Sequence, residues 1–251
     1  MSSSPRPVTI VTGASRGIGA AICARLAKAG HDVAVNFRRD SSAAAQVVRQ
    51  VEETGGRAVA IRADVTVESD VSRLFDAAAQ LGSVTGLVNN AGATLHIGDL
   101  ADTPVDVVRH VIDVNLVGAI LCARQAALVM STRRGGTGGA IVNISSAAAT
   151  LGSAHEYVHY AAAKAGVDAL TVGLAKELAD DGIRVNAVAP GLVRTEIHAA
   201  AGDLGRLERV ASRIPMGRVG EPGEIAPAVA WLLSEQAGYV TGTIIRVSGG
   251  L

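Results

Sequence analysis

Residues 8–19 read Val-Thr-Ile-Val-Thr-Gly-Ala-Ser-Arg-Gly-Ile-Gly, an apolar run followed by a turn with glycines at positions 13, 17 and 19. This order predicts a short buried strand, a Gly-rich loop and a helix, the arrangement of a phosphate-binding unit. Glycine lets the backbone turn tightly and come close to a pyrophosphate. The free N–H groups at the start of the helix then face the phosphates. Spaced glycines alone also fit an ordinary turn, so the rest of the chain has to decide between the two.

Strand-like and helical patterns alternate along the rest of the chain. We predict strands near 7–12, 32–37, 57–62, 84–89, 139–145, 182–188 and 242–247, and helices near 17–29, 42–54, 67–81, 104–130, 157–180 and 222–234. Strands that alternate with long helices favour parallel βαβ units. The predicted fold is therefore α/β, a Rossmann-type doubly wound parallel sheet of about seven strands flanked by helices. We expect a single domain over 1–251, with 1–6 flexible.

The composition excludes several classes of protein. The chain carries 23 Lys and Arg against 23 Asp and Glu, so it lacks the one-sided positive charge of nucleic-acid-binding proteins. No apolar stretch approaches the ~20 residues of a membrane span, and residues 1–7 lack the apolar core of a secretory signal. We therefore expect a cytoplasmic protein without a membrane or nucleic-acid partner. Cys23 and Cys122 have no CxxC partner and no nearby pair of histidines, so we expect free thiols and no metal site.

Seven motifs occur in one order along the chain: Thr12-Gly-Ala-Ser-Arg-Gly-Ile-Gly19, Asp64-Val65, Asn89-Asn-Ala-Gly92, Asn115, Ser146, Tyr160-x3-Lys164 and Pro190-Gly191. In these motifs, over nearly its whole length, the chain resembles the classical short-chain dehydrogenases/reductases. The similarity extends to members of the 3-oxoacyl-acyl-carrier-protein reductase and glucose dehydrogenase type. The resemblance implies a nicotinamide dinucleotide cofactor. By analogy it also implies a homotetramer, built through the fourth and fifth helices and the last strand.

The resemblance also assigns a cofactor site. It implies that Asp64 holds the adenine amino group and that Asn90 and Gly92 lie at the adenosine ribose and the crevice floor. We expect Asn89, one residue earlier, to be structural, because alternate residues of a strand face opposite ways. The full set of expected cofactor-binding residues is Gly13, Ser15, Arg16, Gly17, Ile18, Gly19, Arg38, Asp64, Val65, Asn90, Ala91, Gly92, Tyr160, Lys164, Pro190, Gly191, Val193 and Thr195.

The end of the second predicted strand indicates which cofactor is preferred. An NAD enzyme usually has a carboxylate there for the ribose 2′-hydroxyl, whereas this chain has Phe37 followed by Arg38 and Arg39. A guanidinium pairs bidentately with a phosphate dianion, and Arg16 in the Gly-rich loop can approach the same position. We therefore expect NADP(H) to be preferred, with NAD(H) left open. The alternative is that Arg38 and Arg39 are solvated charges after a strand.

The expected catalytic residues are Asn115, Ser146, Tyr160 and Lys164. Residues four apart share one face of a helix, so Lys164 is placed beside Tyr160, where a cation would lower the tyrosine pKa. Tyr157 has no lysine at the corresponding position, and we expect it to pack or to line the substrate pocket. By resemblance, Ser146 hydrogen-bonds the reacting oxygen and Asn115 holds a water that links Lys164 to solvent. A Tyr-x3-Lys pair alone would be an ordinary helix pair, so the assignment depends on all four residues.

These residues predict hydride transfer between a nicotinamide and a carbonyl or secondary alcohol, with Tyr160 as the acid or base. The alternative is a catalytically silent dinucleotide-binding redox sensor. Among substrates, 3-oxoacyl thioesters, sugars, steroids and small ketones all remain open. We expect residues 192–215 to form a substrate lid, in which Arg206, Arg209 and Arg213 either meet an anionic substrate or form a solvated helix face. Ser248 stands where the family usually has Asp, which makes contacts of the tail less certain.

Overall fold

The structure, a computed structural model, describes residues 6–196 and 210–251. Its centre is a seven-stranded sheet in the order β3-β2-β1-β4-β5-β6-β7, and every neighbouring pair is parallel. The strands are β1 (Val8–Val11), β2 (Asp32–Phe37), β3 (Ala58–Arg62), β4 (Val84–Asn89), β5 (Gly139–Ile144), β6 (Ile183–Pro190) and β7 (Ile244–Val247). The predicted doubly wound parallel sheet is confirmed.

Helices cover both faces of this sheet. In the described residues they are α1 (Gly17–Lys28), α2 (Ser41–Glu52), α3 (Glu68–Ala78), α4 (Val105–Ile112), α5 (Gly118–Met130), α6 (Ala148–Leu151), α7 (Val158–Glu177) and α8 (Pro222–Leu233). The helix predicted over 104–130 is interrupted by a π-helical turn, Asp113–Val117, between α4 and α5. The short helix α6 lies between the strand predicted over 139–145 and the helix predicted over 157–180, where we predicted no helix.

The core has two parts, one on each face of the sheet. Val33 and Val35 of β2 pack with α1, α2 and α8, whereas Ala34 between them packs with α3, α5 and α7. This alternation follows from the two-residue period of a strand, and because both faces are covered, β2 is buried along its whole length. Cys23 and Cys122 are buried free thiols, one in each part of the core.

The sheet order places a crevice at the carboxyl ends of the strands. From β1 the chain proceeds outward to β2 and β3, then crosses back to β4 on the other side of β1. The loops after β1 and β4 therefore separate at this point, where ligands of doubly wound sheets bind. In the described ranges, no helix is long and apolar enough to span a membrane.

Parts of two predicted segments lie outside the described residues. Of the N-terminal segment 1–6, only Arg6 is described, and its guanidinium donates to the carbonyl oxygens of Gly30 and Gly55. Of the lid segment 192–215, the structure describes 192–196 and 210–215. Arg206 and Arg209 consequently fall outside the described residues.

Candidate active site

A crevice of about 950 Å³ lies at the carboxyl edge of the sheet and is lined by the loops after β1, β2, β4, β5 and β6. It brings together nearly all the residues expected from the sequence. The predicted residues that line it are Gly13, Ser15, Arg16, Gly17, Ile18, Arg38, Asp64, Val65, Asn90, Ala91, Gly92, Ser146, Tyr160, Lys164, Pro190, Gly191, Val193 and Thr195. Gly19 and Asn115 do not line the crevice. Gly19 lies behind Asn90, and Asn115 lies behind Gly92.

The Gly-rich loop is held in a conformation that needs its glycines. Gly13 has φ +60°, and a Cβ atom there would lie 2.8 Å from Cα of Ala91, in the loop after β4. At Gly19, a Cβ atom would lie 2.6 Å from both the Asn90 Nδ2 and the Gly13 carbonyl oxygen. Gly19 therefore shapes the loop from behind. Helix α1 begins at Gly17 without a side-chain cap among the described residues, so its first N–H groups face the crevice unpaired by side chains.

Two asparagines support this loop. Asn90 Nδ2 donates to the carbonyl oxygens of Thr12 and Gly13, at 2.9 and 3.0 Å. Its side-chain amide is therefore engaged in holding the loop, although the residue also lines the crevice. Asn36 of β2 accepts a 3.1 Å hydrogen bond from Gly13 N, and its Nδ2 donates to the Ala63 carbonyl oxygen. Sequence analysis missed Asn36, for which a polar residue inside an apolar strand was the available signal.

Asn89, one residue before Asn90, faces the opposite way. It is buried, and its Nδ2 donates to Asn143 Oδ1 at 2.9 Å and to the Ala119 carbonyl oxygen at 3.2 Å. These bonds link β4 to β5 and to α5. Adjacent strand residues thus serve the crevice and the core separately, as the alternation of a strand requires.

Arg38, which follows β2, and Arg16, in the Gly-rich loop, each form an ion pair with a carboxylate. Arg38 Nε lies 2.8 Å from Asp64 Oδ2, and Arg16 Nη1 lies 2.7 Å from Glu196 Oε2. Burial tends to raise the pKa of Asp64, but the hydrogen bonds from Thr66 and the charge of Arg38 outweigh it, so the pKa lies below its ordinary value. Both arginines, with Arg39, line the crevice around Phe37. Asp40 lines the crevice as well, so this end carries three guanidinium groups and three carboxylates, two of which are paired with Arg16 and Arg38.

The other end of the crevice holds Ser146, Tyr160 and Lys164. Ser146 is the second residue after β5, and its Oγ accepts a 3.1 Å hydrogen bond from Ala148 N at the start of α6. Tyr160 and Lys164 are one turn apart on α7, and Lys164 Nζ lies 5.6 Å from the centroid of the Tyr160 ring. Lys164 Nζ also donates a 2.8 Å hydrogen bond to the Ile144 carbonyl oxygen at the end of β5. The strand end and the helix thus fix the three side chains together.

Burial dominates the acid–base properties of this group. Burial raises the pKa of Tyr160 above its ordinary value, against the opposing effect of its hydrogen bond with Ser146. The expected lowering of the tyrosine pKa is therefore not seen in this chain by itself, because loss of solvent outweighs the hydrogen bond with Ser146. Burial also lowers the pKa of Lys164 to about 8, although the charge of Asp168 opposes this shift. Tyr160 is therefore protonated at neutral pH, whereas the pKa of Lys164 lies close to neutral pH.

Tyr157 and Ser145 have the positions expected of them. The rings of Tyr157 and Tyr160 meet edge to face at 5.4 Å, and Tyr157 is buried against Ala148 and Ala161. Ser145 is buried, with its Oγ directed to the Lys164 carbonyl oxygen, away from the Ser146 side. Tyr160 alone of these two tyrosines has a lysine on its face of the helix.

Asn115 lies in the π-helical turn between α4 and α5. In that turn the Gly118 N–H donates a hydrogen bond five residues back, to the Asp113 carbonyl oxygen. Asn115 Nδ2 donates to the carbonyl oxygens of Val111 and Ala93, at 2.8 and 2.7 Å. Its Oδ1 is buried without a hydrogen-bond partner in the part of the chain that the structure describes. A buried amide oxygen of this kind fits a bound water, since unsatisfied buried acceptors are rare.

The described residues of the segment predicted as a lid line the crevice on the β6 side. Val210, Arg213 and Ile214 line it, as do Leu192 to Glu196 at the start of the segment. Gly191 lies against the tail, where a Cβ atom would be 2.7 Å from Cα of Ser248. Ser248, in the place of the family's usual Asp, donates from Oγ to the Leu251 carbonyl oxygen at 2.8 Å.

The chain was compared with known proteins. A family model described as Enoyl-(Acyl carrier protein) reductase matches residues 13–251. Uncharacterized oxidoreductase YgfF of Escherichia coli (strain K12) is 45% identical over 97% of this chain and 99% of that protein. The 3beta-hydroxysteroid dehydrogenase 1 of Eggerthella lenta is 43% identical over 96% of this chain and 92% of that protein. A short-chain type dehydrogenase/reductase from Mycobacterium marinum has a TM-score of 0.91 at 34% identity, over 97% of this chain and 94% of that one. The chain belongs to the short-chain dehydrogenase/reductase family of oxidoreductases.

Proposed function

We propose that this protein is an NADP(H)-dependent oxidoreductase that transfers a hydride between the nicotinamide and a carbonyl or secondary alcohol. The observation that carries the proposal is the cluster of Ser146, Tyr160 and Lys164 in the same crevice as the uncapped start of α1. A proton donor next to a dinucleotide-shaped crevice is what carbonyl reduction needs, since bound NADPH supplies the hydride but not the proton.

The residues present fit the cofactor. The free N–H groups at Gly17 and the close approach of Gly13 to Ala91 suit a pyrophosphate, and Arg16 and Arg38 suit a 2′-phosphate. Phe37 stands where a carboxylate would repel that phosphate. The remaining proposed cofactor contacts are those named from the sequence. Asn90 and Gly19 contribute by shaping the Gly-rich loop. Asp64 contributes twice, by binding the adenine and by positioning Arg38.

The chain's own residues then handle the proton. Tyr160, protonated at neutral pH, donates to the carbonyl oxygen, and the Ser146 hydroxyl stabilises the negative charge that develops there. Lys164, with a pKa lowered to about 8, returns a proton toward Tyr160. The unpaired Asn115 Oδ1 would hold the water through which Lys164 is reprotonated. The raised pKa keeps the Tyr160 hydroxyl protonated but makes it a weaker acid, so its proton transfer needs the support of the Lys164 ammonium beside it.

The test follows NADPH absorbance with a panel of ketones, 3-oxoacyl thioesters and sugars. We expect the parent to consume NADPH with at least one of them and Tyr160→Phe to lose a hundredfold or more of that activity while still binding NADPH. Tyr157→Phe is the matched control, because Tyr157 touches the same ring without a lysine beside it, and it should keep most of the activity. Near-normal turnover by Tyr160→Phe would refute the assignment. Tight NADPH binding without consumption of any substrate would favour the redox sensor.

We also propose the homotetramer. Ile120, Leu128 and Val129 on α5 and Val172 on α7 are large apolar side chains that remain exposed in the single chain. Exposed apolar surface on adjacent helices supports burial against other copies. Light scattering on the eluting protein should give four times the mass of one chain, and the mass of a single chain would refute the tetramer.

A further inference from the structure

The substrate end of the crevice carries an apolar surface that the proposed hydride transfer does not explain. Four aliphatic side chains form it, here termed the apolar wall: Leu95, Leu151, Leu192 and Ile214. Leu95 is 39% exposed and Leu151 is 57% exposed, which is unusual for leucines beside a deep crevice. Exposed apolar surface inside a concave site marks the part of a ligand that it binds.

Leu95 is held in the crevice by a strained backbone. Its φ is +61°, in the left-handed region, and the N–H of His96 donates to the Thr94 carbonyl oxygen at 2.8 Å across it. This is a γ-turn of the rarer hand, which side chains other than glycine seldom adopt. Such strain persists only where the surroundings over-determine it, and it gathers at ligand sites. The strained turn supports a specific role for the Leu95 side chain.

The loop that carries Leu95 is fastened to the loop that precedes α7. Gly98 N donates to the Glu156 carbonyl oxygen at 2.8 Å, and His155 Nδ1 lies 2.7 Å from Asp99 Oδ1. The second loop follows α6 and Leu151. Because both sides of the wall are tied together, it is a preformed surface rather than two independent loops.

Helix α6 connects the wall to the reacting group. Ala148 of α6 packs with Tyr157 and Ala161, and Tyr160 packs against the same cluster. From β7, the Arg246 guanidinium bonds to Thr150 Oγ1, next to Leu151, and to the Leu251 carbonyl oxygen at the crevice. Leu151 is therefore positioned relative to the Tyr160 hydroxyl by contacts on both ends of α6.

The charged residues of this region do not favour an anion. Glu156 lines the crevice on one side and Arg213 on the other, so the two formal charges have opposite signs. A sugar would place several hydroxyls against the wall, where they lose water without gaining partners. An apolar skeleton gains from the same contact, because both surfaces leave water.

We infer that the substrate is an uncharged ketone or secondary alcohol carried on a bulky apolar carbon skeleton, which packs against the apolar wall while its oxygen meets Ser146 and Tyr160. This inference rests on the proposed function and narrows it. It excludes a polyhydroxylated sugar and an anionic thioester as the preferred substrate.

The test uses two cyclohexanones that share the reacting group, one with a bulky 4-alkyl substituent and one polyhydroxylated, together with a 3-oxoacyl thioester. We expect kcat/KM with NADPH to be at least a hundredfold higher for the alkyl ketone than for either competitor. A preference for the polyhydroxylated ketone or the thioester would overturn the inference and leave the proposed function intact. If NADPH is consumed neither with these three compounds nor with any other ketone, the proposed function fails and the inference fails with it.

Two wall variants refine the test. Leu151→Ser and Leu95→Ser should each raise KM for the alkyl ketone tenfold or more, while the Kd of NADPH changes less than threefold. Leu100→Ser is the matched control, because Leu100 is 56% exposed and does not line the crevice. Equal KM values in Leu151→Ser, Leu100→Ser and the parent would overturn the role of the wall. The unchanged Kd of NADPH shows that each variant is folded.

Discussion

Arg38 and Asp64, 26 positions apart in the sequence, are joined by a 2.8 Å ion pair between Nε and Oδ2. The pair forms because β2 and β3 are parallel neighbours whose ends meet at one edge of the sheet, where Phe37 is in register with Arg62. Asp64 Oδ1 is held in turn by Thr66 N and Oγ1, at 3.0 and 2.7 Å. The contact with Asp64 uses Nε, and the guanidinium carries four further N–H donors on its terminal nitrogens that suit a phosphate. Asp64 thereby positions the arginine that we propose to select NADP(H).

We expect Arg38→Ala to weaken NADPH binding roughly ten- to a hundredfold and NADH binding less than threefold. The reason is that charge-assisted hydrogen bonds to a phosphate contribute about 1.5–3 kcal/mol, and only NADPH has the 2′-phosphate. Titration of both cofactors by fluorescence measures the two Kd values. Arg218→Ala is the control, because Arg218 is ion-paired to Glu224 at the surface and does not line the crevice. Equal losses for the two cofactors would contradict the assignment.

The rate of reduction should fall as the pH rises through about 8. Burial lowers the pKa of Lys164 to about 8, so its ammonium is the main form below that pH and is lost above it. Tyr160 does not account for this change, since its pKa is raised and it stays protonated throughout. The measurement is kcat between pH 6 and 10 at saturating NADPH. Lys164→Arg keeps its charge over this range, so its lower kcat should be flat. A parent profile without an inflection between pH 7 and 9 would rule out Lys164 as the titrating group.

Gly92→Ala should lower kcat about tenfold or more without unfolding the protein. A Cβ atom at Gly92 would lie 2.7 Å from Asn115 Oδ1 and 3.7 Å from Lys164 Nζ, so Asn115 has to move from its position beside the lysine. Small displacements of positioned groups have effects of this size on turnover. Gly223→Ala is the control, because it lies in α8 with open space around it and should keep its activity. Parent-like kcat in Gly92→Ala would show that Asn115 does not have to hold this position.

Asp32→Asn should destabilise the fold by about 2 kcal/mol, because it weakens hydrogen bonds between a buried carboxylate and a charged partner. The Asp32 side chain is fully buried at the start of β2, and it accepts hydrogen bonds from Arg57 N, Nε and Nη2 at 3.0, 2.9 and 2.5 Å. The substitution removes the negative charge that the Arg57 guanidinium faces. Urea unfolding measures the loss. Glu68→Gln, which breaks an exposed ion pair with Arg124, should change the unfolding free energy little. The interpretation would not survive if both variants were equally stable.

The sequence by itself determined the elements and most of the site. Strands and helices were readable because burial repeats every two residues in one and about every 3.6 in the other, which is a local property. The Tyr160–Lys164 pair follows from one turn of helix, and Gly13 and Gly17 mark a loop that adopts positive φ. Two local features were still missed. Helix α6 is only four residues long. The π turn depends on a hydrogen bond that Asn115 Nδ2 donates to the Val111 carbonyl oxygen.

Only the tertiary structure decided which distant residues act together. Asn36 reaches Gly13, and Arg38 reaches Asp64, because the order of strands in the sheet places their ends side by side. The direction of the Tyr160 pKa shift also depends on the fold. The sequence places a cation one turn away, but only the packed chain shows how much solvent the Tyr160 hydroxyl loses, and that loss raises its pKa.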